Sequence, residues 1–170
     1  MTGGGVKNRS TRREDAGCID GPERRASLLA YRRMAAATPP PSWMIRLNVA
    51  FLRRGLKIGS QHLLSVPGRS SGGLRSTPVS LVTLDRTRYI VAAFSEAAWV
   101  RNVRAAGAGT LQRGRRVEQV SLVDVAVEHR APVLRAFLEQ VRGGVRFFGS
   151  ASPDEVAAAA DRYPVFRVVP

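Results

Sequence analysis

Three short runs, "HLLSV" (62–66), "STPVSLVTL" (76–84) and "RYIVAAF" (88–94), follow one another with no room for a crossover helix between them. Each is rich in β-branched and aliphatic residues and is bounded by glycine, proline or a polar turn, so each reads as a strand. Parallel neighbours need a crossover of about a dozen or more residues. Here Asp85-Arg86-Thr87 leaves space only for a hairpin turn. The centre of the fold is therefore antiparallel, and a small barrel suits it better than a βαβ sheet.

The flanking segments agree with that architecture. "SWMIRLNVAFLRRGLK" reads as a helix over 43–54, with Ser42 placed to cap it and Gly55 and Gly59 marking its end. "EAAWVRNVRAA" is helical, with Trp99 and Val103 at i, i+4, and Gly107 ends it. "GTLQRGRRVEQVSLVDVAVE" forms a hairpin turning near Gly114-Arg115. "APVLRAFLEQV" and "SPDEVAAAADRY" are two more helices, the second opened by a capping box of Ser152 and Glu155. "YPVFRVVP" closes the chain as a strand. The order is helix, β-β-β, helix, β-β, helix, helix, β, which is a mainly-β α+β class with flanking helices.

The connection between the first two strands is richer than a turn requires. "VPGRSSGGLRSTPV" gathers glycines that let a ligand approach the backbone, hydroxyls on Ser70, Ser71 and Thr77, and the planar forks of Arg69 and Arg75. Successive backbone N–H groups there can also form an anion nest. An anion site and a solvated hairpin loop are both compatible with these residues. No G-x-G-x-x-G precedes a helix, so a dinucleotide fold is not indicated.

Other chemistry is poorly represented. Neither His62 nor His129 sits in a nucleophile–base or metal-ligand pattern, and the acids are few and scattered. With one cysteine, Cys18, the chain can make no internal disulfide. An enzyme built from this sequence would take its difficult chemistry from an organic cofactor. The 170 residues carry a net charge of +14, which attracts nucleic acid, anionic lipid or a polyanionic small molecule without choosing among them. Residues 1–41 read as a flexible basic leader, either an arm or an over-extended start with Met34 or Met44 as initiator, and 42–170 as one domain. The helix at 43–54 mixes Trp43 and bulky aliphatics with Arg46, Arg53, Arg54 and Lys57, so peripheral membrane contact stands beside simple packing on the barrel. No run spans a bilayer and no signal peptide is visible, which reads as a cytoplasmic protein.

The segments "PGRSSGGLRSTPVSLV", "RYIVAAFSEAAWVRNVRAAGAGTLQRGRR" and "DRYPVFRVV" resemble the deazaflavin-dependent nitroreductase family of actinobacteria, and the likeness runs from Trp43 to Pro170. The resemblance implies a split β-barrel of the FMN-binding split-barrel type and coenzyme F420 (8-hydroxy-5-deazaflavin) rather than FMN. It implies that Gly68, Arg69, Ser70, Ser71 and Gly72 hold the cofactor's phosphate and acidic tail, and that Arg75, Thr77 and Pro78 continue that site. By the same match Ala92, Ala93, Phe94 and Ser95 flank the deazaflavin ring, and Trp99 and Asn102 close the pocket. The chain departs from many relatives in having Ser70 where they have lysine. The activity implied is hydride transfer from reduced F420 to a small-molecule acceptor of quinone, nitroaromatic or enone type. No catalytic side chain is singled out. Tyr163 and Phe147-Phe148 are candidates either for substrate contact or for plain packing. A non-catalytic cofactor- or lipid-binding barrel is the alternative, a nucleic-acid-associated protein is not expected, and a homodimer is compatible with the fold.

Overall fold

The chain runs through helix α1 (Ser42–Arg53), strands β1 (Gln61–Pro67), β2 (Leu74–Leu84) and β3 (Thr87–Val91), and helix α2 (Ala98–Ala106). Strands β4 (Ala108–Arg113) and β5 (Arg116–Asp124), helices α3 (Arg130–Gln140) and α4 (Pro153–Ala158), and strand β6 (Val165–Val169) follow. In this computed structural model residues 40–149 and 151–170 are described. The leader reading, with Cys18 and Met34, lies outside the described residues except for Pro40 and Pro41.

All six strands pair antiparallel and the sheet closes in the order β1-β2-β3-β6-β5-β4. The three successive strands expected from the sequence are thus half of a barrel. Closure removes the open edges that such strands would otherwise expose. Strand β6 inserts between β3 and β5, so the last segment of the chain completes the wall.

Alternation along the strands divides the apolar residues between two cores. Leu64, Val66, Val79, Ile90, Leu111, Val120, Leu122, Phe166 and Val168 fill the barrel, joined by Val100 and Val103 of α2. On the outside, Val82, Val91 and Val165 meet Val133, Leu134 and Phe137 of α3, Val156 of α4, and Phe148. Helix α1 packs against β1, β2 and β4 and buries Leu52.

Three elements differ from expectation. Ser42 does not cap α1: it is the first helical residue, Pro41 holds the N-cap position, and no side chain caps that end. Strand β3 stops at Val91, not Phe94: the Ala92 N–H still donates to the Pro164 carbonyl at 2.9 Å, but proline has no N–H with which to continue the ladder, and the chain turns toward α2. The run 152–163 is not one helix. The capping box forms at Ser152 and Glu155, but α4 ends at Ala158 and a 3-10 turn, Ala160–Arg162, follows. That tightening seats the Tyr163 ring 4.8 Å from Phe148 and releases Pro164 toward β6, where a helix could not continue.

The barrel has two unlike ends. The β1–β2 loop, the β3–α2 connection and α2 lie at one. At the other, Arg88 of β3 and Glu118 of β5 pair through both guanidinium nitrogens across the position of β6, with His62 of β1 nearby. The ion pair lets the sheet end on polar groups without stranding either charge.

Candidate functional site

The glycine-rich loop is a folded structure, not a slack connection. The Gly68 N–H donates to the Gly73 carbonyl at 2.9 Å and the Gly72 N–H to the Gly68 carbonyl at 2.8 Å, closing the neck next to the Pro67–Leu74 pair. Gly72 takes φ +65°, which strongly favours glycine, and a Cβ on Gly68 would press within 3.2 Å of the Gly73 oxygen. Arg69, Ser70, Ser71, Gly72 and Arg75 are exposed around this neck.

Helix α2 holds the loop from the side. Asn102, 6% exposed, accepts a hydrogen bond from the Arg69 N–H at 3.4 Å through Oδ1. Its helix is anchored by Val100 and Val103, both fully buried in the barrel core. Trp99 is half-buried and leans on Phe166, ring centroids 5.9 Å apart. The tryptophan thereby covers the top of the barrel core while Asn102 reaches the loop. Ala93, Phe94 and Ser95 form the half-buried bend between β3 and α2 at this same end, and Ala92 is buried.

The pleat separates the strand residues. Thr77 stands opposite Leu64 and Arg75 opposite Val66, both core-facing partners, so this side of β2 runs up the barrel wall to the loop. Ser76 and Pro78 alternate onto the outer side, toward α1. Pro78 therefore presents the face opposite to that of Arg75 and Thr77, since consecutive residues of a strand point to opposite sides. The Ser76 hydroxyl bonds the Ser65 hydroxyl at 2.8 Å and accepts from Arg53 Nη2 at 3.0 Å.

Ser76 opens into a groove of about 480 Å³ between α1 and β2, lined also by Ile45, Arg46, Val49, Ala50, Arg53 and Arg54. Its floor is aliphatic and its rim carries three guanidiniums, which suits an anion attached to a longer apolar or flexible body. The spacing 46, 50, 53, 54 on one side of a helix carries this lining in the sequence. Ser76 has no such signal, because only strand pairing turns it toward α1. Tyr163 and Phe148 pack instead in the outer core, 6% and 0% exposed, with Phe137 completing the aromatic cluster at 5.7 Å from Phe148. Burial raises the Tyr163 phenol above its ordinary range. Phe147 is half-buried beneath the Arg146 guanidinium, 5.1 Å from the ring centre.

Against known proteins, residues 41–146 match the model of a family described as F420H(2)-dependent quinone reductase. Among solved structures, one described as a domain-swapped dimer is 21% identical, with a TM-score of 0.49, covering 76% of this chain and 99% of that one. An F420-H2 dependent reductase is likewise 21% identical at a TM-score of 0.49, over 66% and 97% of the two chains. A heme binding protein from Mycobacterium smegmatis is 12% identical, with a TM-score of 0.44, over 78% and 52%. The search of curated proteins finds no match. The structural likenesses are too remote to add to the family match.

Proposed function

Since the chain belongs to the F420H(2)-dependent quinone reductase family, and is thus an F420-dependent oxidoreductase, we propose that the loop from Gly68 to Arg75 is its cofactor clamp and a quinone its acceptor. Reduced F420 supplies a hydride from its deazaflavin ring when bound. The protein's part is to bind a polyanion, orient the ring and keep the acceptor against it. Arg69 and Arg75 meet the phosphate and acidic tail, with Ser70, Ser71 and Thr77 adding hydroxyls. Asn102 keeps the loop in register with α2, and Trp99 with the bend at Ala93, Phe94 and Ser95 borders the ring. Arg46, Arg53 and Arg54 offer the tail a further cationic path along α1.

The observation that carries this reading is the pinned loop: a glycine neck with two exposed arginines, tied at the Arg69 N–H to a buried asparagine. Charged hydrogen bonds contribute roughly 1.5–3 kcal/mol each. The double substitution Arg69→Ala/Arg75→Ala is therefore expected to weaken F420 binding tenfold or more, read by titration of the oxidised cofactor. Unchanged affinity would remove the loop from the site. Turnover is followed as loss or return of deazaflavin absorbance with a menaquinone analogue, a nitroaromatic and an enone in parallel. Reduction of the nitroaromatic or enone but not the quinone would overturn the acceptor assignment while leaving the cofactor site intact. A homodimer is part of the proposal, supported by exposed Val117 and Val123 on the outer side of β5, and light scattering decides it.

A further inference from the structure

Helix α2 is seated by apolar contact and steered by polar contact. Val100 and Val103 form its underside, fully buried in the barrel core. Apolar burial is non-directional, so it holds the helix down without fixing its rotation about its own axis. At about 100° per residue, Asn102 and Arg104 fall on either side of that buried face. Asn102 reaches the Arg69 N–H of the loop. Arg104 reaches the other way, its Nε donating at 2.8 Å to Oδ2 of Asp124, the last residue of β5.

Asp124 is itself held firmly. Its Oδ1 accepts from Arg130 Nη2 of α3 at 3.1 Å, and Arg130 is only 6% exposed. The same guanidinium donates through Nε to the Val125 carbonyl at 2.8 Å and through Nη1 to the Ala160 carbonyl at 3.3 Å. A buried guanidinium deprived of its carboxylate is costly, so Asp124 does not leave this side. The backbone is pinned as well. Asp124 pairs with Phe166, whose ring meets Trp99, and the Leu122 N–H donates to the Gly107 carbonyl at 2.7 Å. That last bond fixes the height of the helix end and leaves the Arg104–Asp124 pair to set its rotation.

We propose that Asp124 is a positioning residue for the cofactor clamp. Held by Arg130, it turns α2 through Arg104 so that Asn102 meets the loop at Arg69, and the loop stands in its binding shape before the cofactor arrives. The outer core is thereby linked to the loop through two ion pairs and one hydrogen bond. The inference rests on the reading of the loop from Gly68 to Arg75 as the clamp.

Oxidised F420 is titrated into the full-length protein and its variants, with thermal midpoints measured alongside. Arg104→Gln is expected to weaken binding about threefold with a nearly unchanged midpoint, because exposed ion pairs contribute little to stability. Arg104→Lys should regain most of that loss. Asp124→Asn is expected to weaken binding at least as much, although losing a negative charge would by long-range attraction alone tighten the hold on a polyanion. In an Asn102→Ala background Arg104→Gln should have no further effect, since both act through one link. Turnover of a menaquinone analogue by Arg104→Gln at saturating reduced cofactor should match the parent's, since no reacting group is touched.

Unchanged or tighter binding by Asp124→Asn would overturn the proposal, as would a loss from Arg104→Gln that persists without Asn102. Should Asp124→Asn fail to fold with Arg130 stranded, Arg104→Gln and its cycle with Asn102→Ala decide alone. Unchanged affinity in Arg69→Ala/Arg75→Ala removes the clamp reading and this role with it. If that pair weakens binding while Arg104→Gln does not, the clamp stands and only the positioning role falls.

Discussion

His62 shows how one residue's surroundings set a pH dependence. Burial pushes its imidazole below the ordinary value of 6.5, opposed by the bond from Nδ1–H to the Ser60 carbonyl at 3.0 Å. Arg113 and Arg88 push further down and Glu118 pushes back up. A lowered folded value means that the unfolded chain takes the proton first as pH falls. Stability is therefore whole above 6.5 and declines as pH drops from there toward the folded value. His62→Gln should flatten that part of the stability curve, measured by urea unfolding at a series of pH values. A slope that persists in the variant would place its source elsewhere. Glu118 acts in a different window. Held below its ordinary carboxylate value first by the Arg88 hydrogen bond, it contributes stability that is lost only at more acid pH, as the folded value is crossed.

At the scale of elements, the β2–β3 hairpin works against its own residues. Asp85 and Arg86 both adopt positive φ, 49° and 62°, in a two-residue turn that matches the twist of the strands. The left-handed conformation costs a residue with a Cβ roughly 1–2 kcal/mol. Arg86 is exposed, so Arg86→Gly relieves that cost with little lost packing. The variant should be more stable by about 1 kcal/mol in chemical denaturation. A loss of stability would mean that the Arg86 side chain supplies more than the turn strain takes away. Helix α2 shows the reverse, an element whose local signals and tertiary role agree. Gly107 ends it, Val100 and Val103 anchor it, and Asn102 then stands at the height of the loop.

For the whole molecule, the outer core is what attaches α3 and α4 to the barrel. Phe148 is fully buried between Phe137 and Tyr163, and that cluster reaches Val82, Val91 and Val165 on the sheet. Removing its ring leaves a cavity that rigid neighbours on both sides cannot close. Phe148→Ala should destabilise the protein by about 3–5 kcal/mol. Tryptophan fluorescence, which includes Trp99 above the barrel core, and far-UV circular dichroism should still report one coincident transition. Separate transitions would show that the helical layer unfolds independently of the barrel. Arg130 ties the same regions together, donating to the Val125 and Ala160 carbonyls and to Asp124, which also accepts from Arg104 of α2.

Local chemistry determined a good deal of this protein. The hairpin at Asp85, the turn at Gly114-Arg115, the capping box at Ser152 and the stop at Gly107 all follow from signals a few residues long, and the structure contains each of them. The loop was also legible, because glycines, hydroxyls and arginines gathered between two strands are unusual whatever surrounds them. Tertiary structure decided what those parts face. Only barrel closure puts β6 between β3 and β5 and gives Arg88 its partner thirty residues away. Only the pairing of β1 with β2 turns Ser76 outward toward Arg53 while Arg75 and Thr77 stay on the other face. Only the outer core makes packing residues of Phe148 and Tyr163. The physical reason is common to all: a turn or a cap is settled by its own backbone and near neighbours, whereas the face a strand residue presents depends on register with chain far away in sequence.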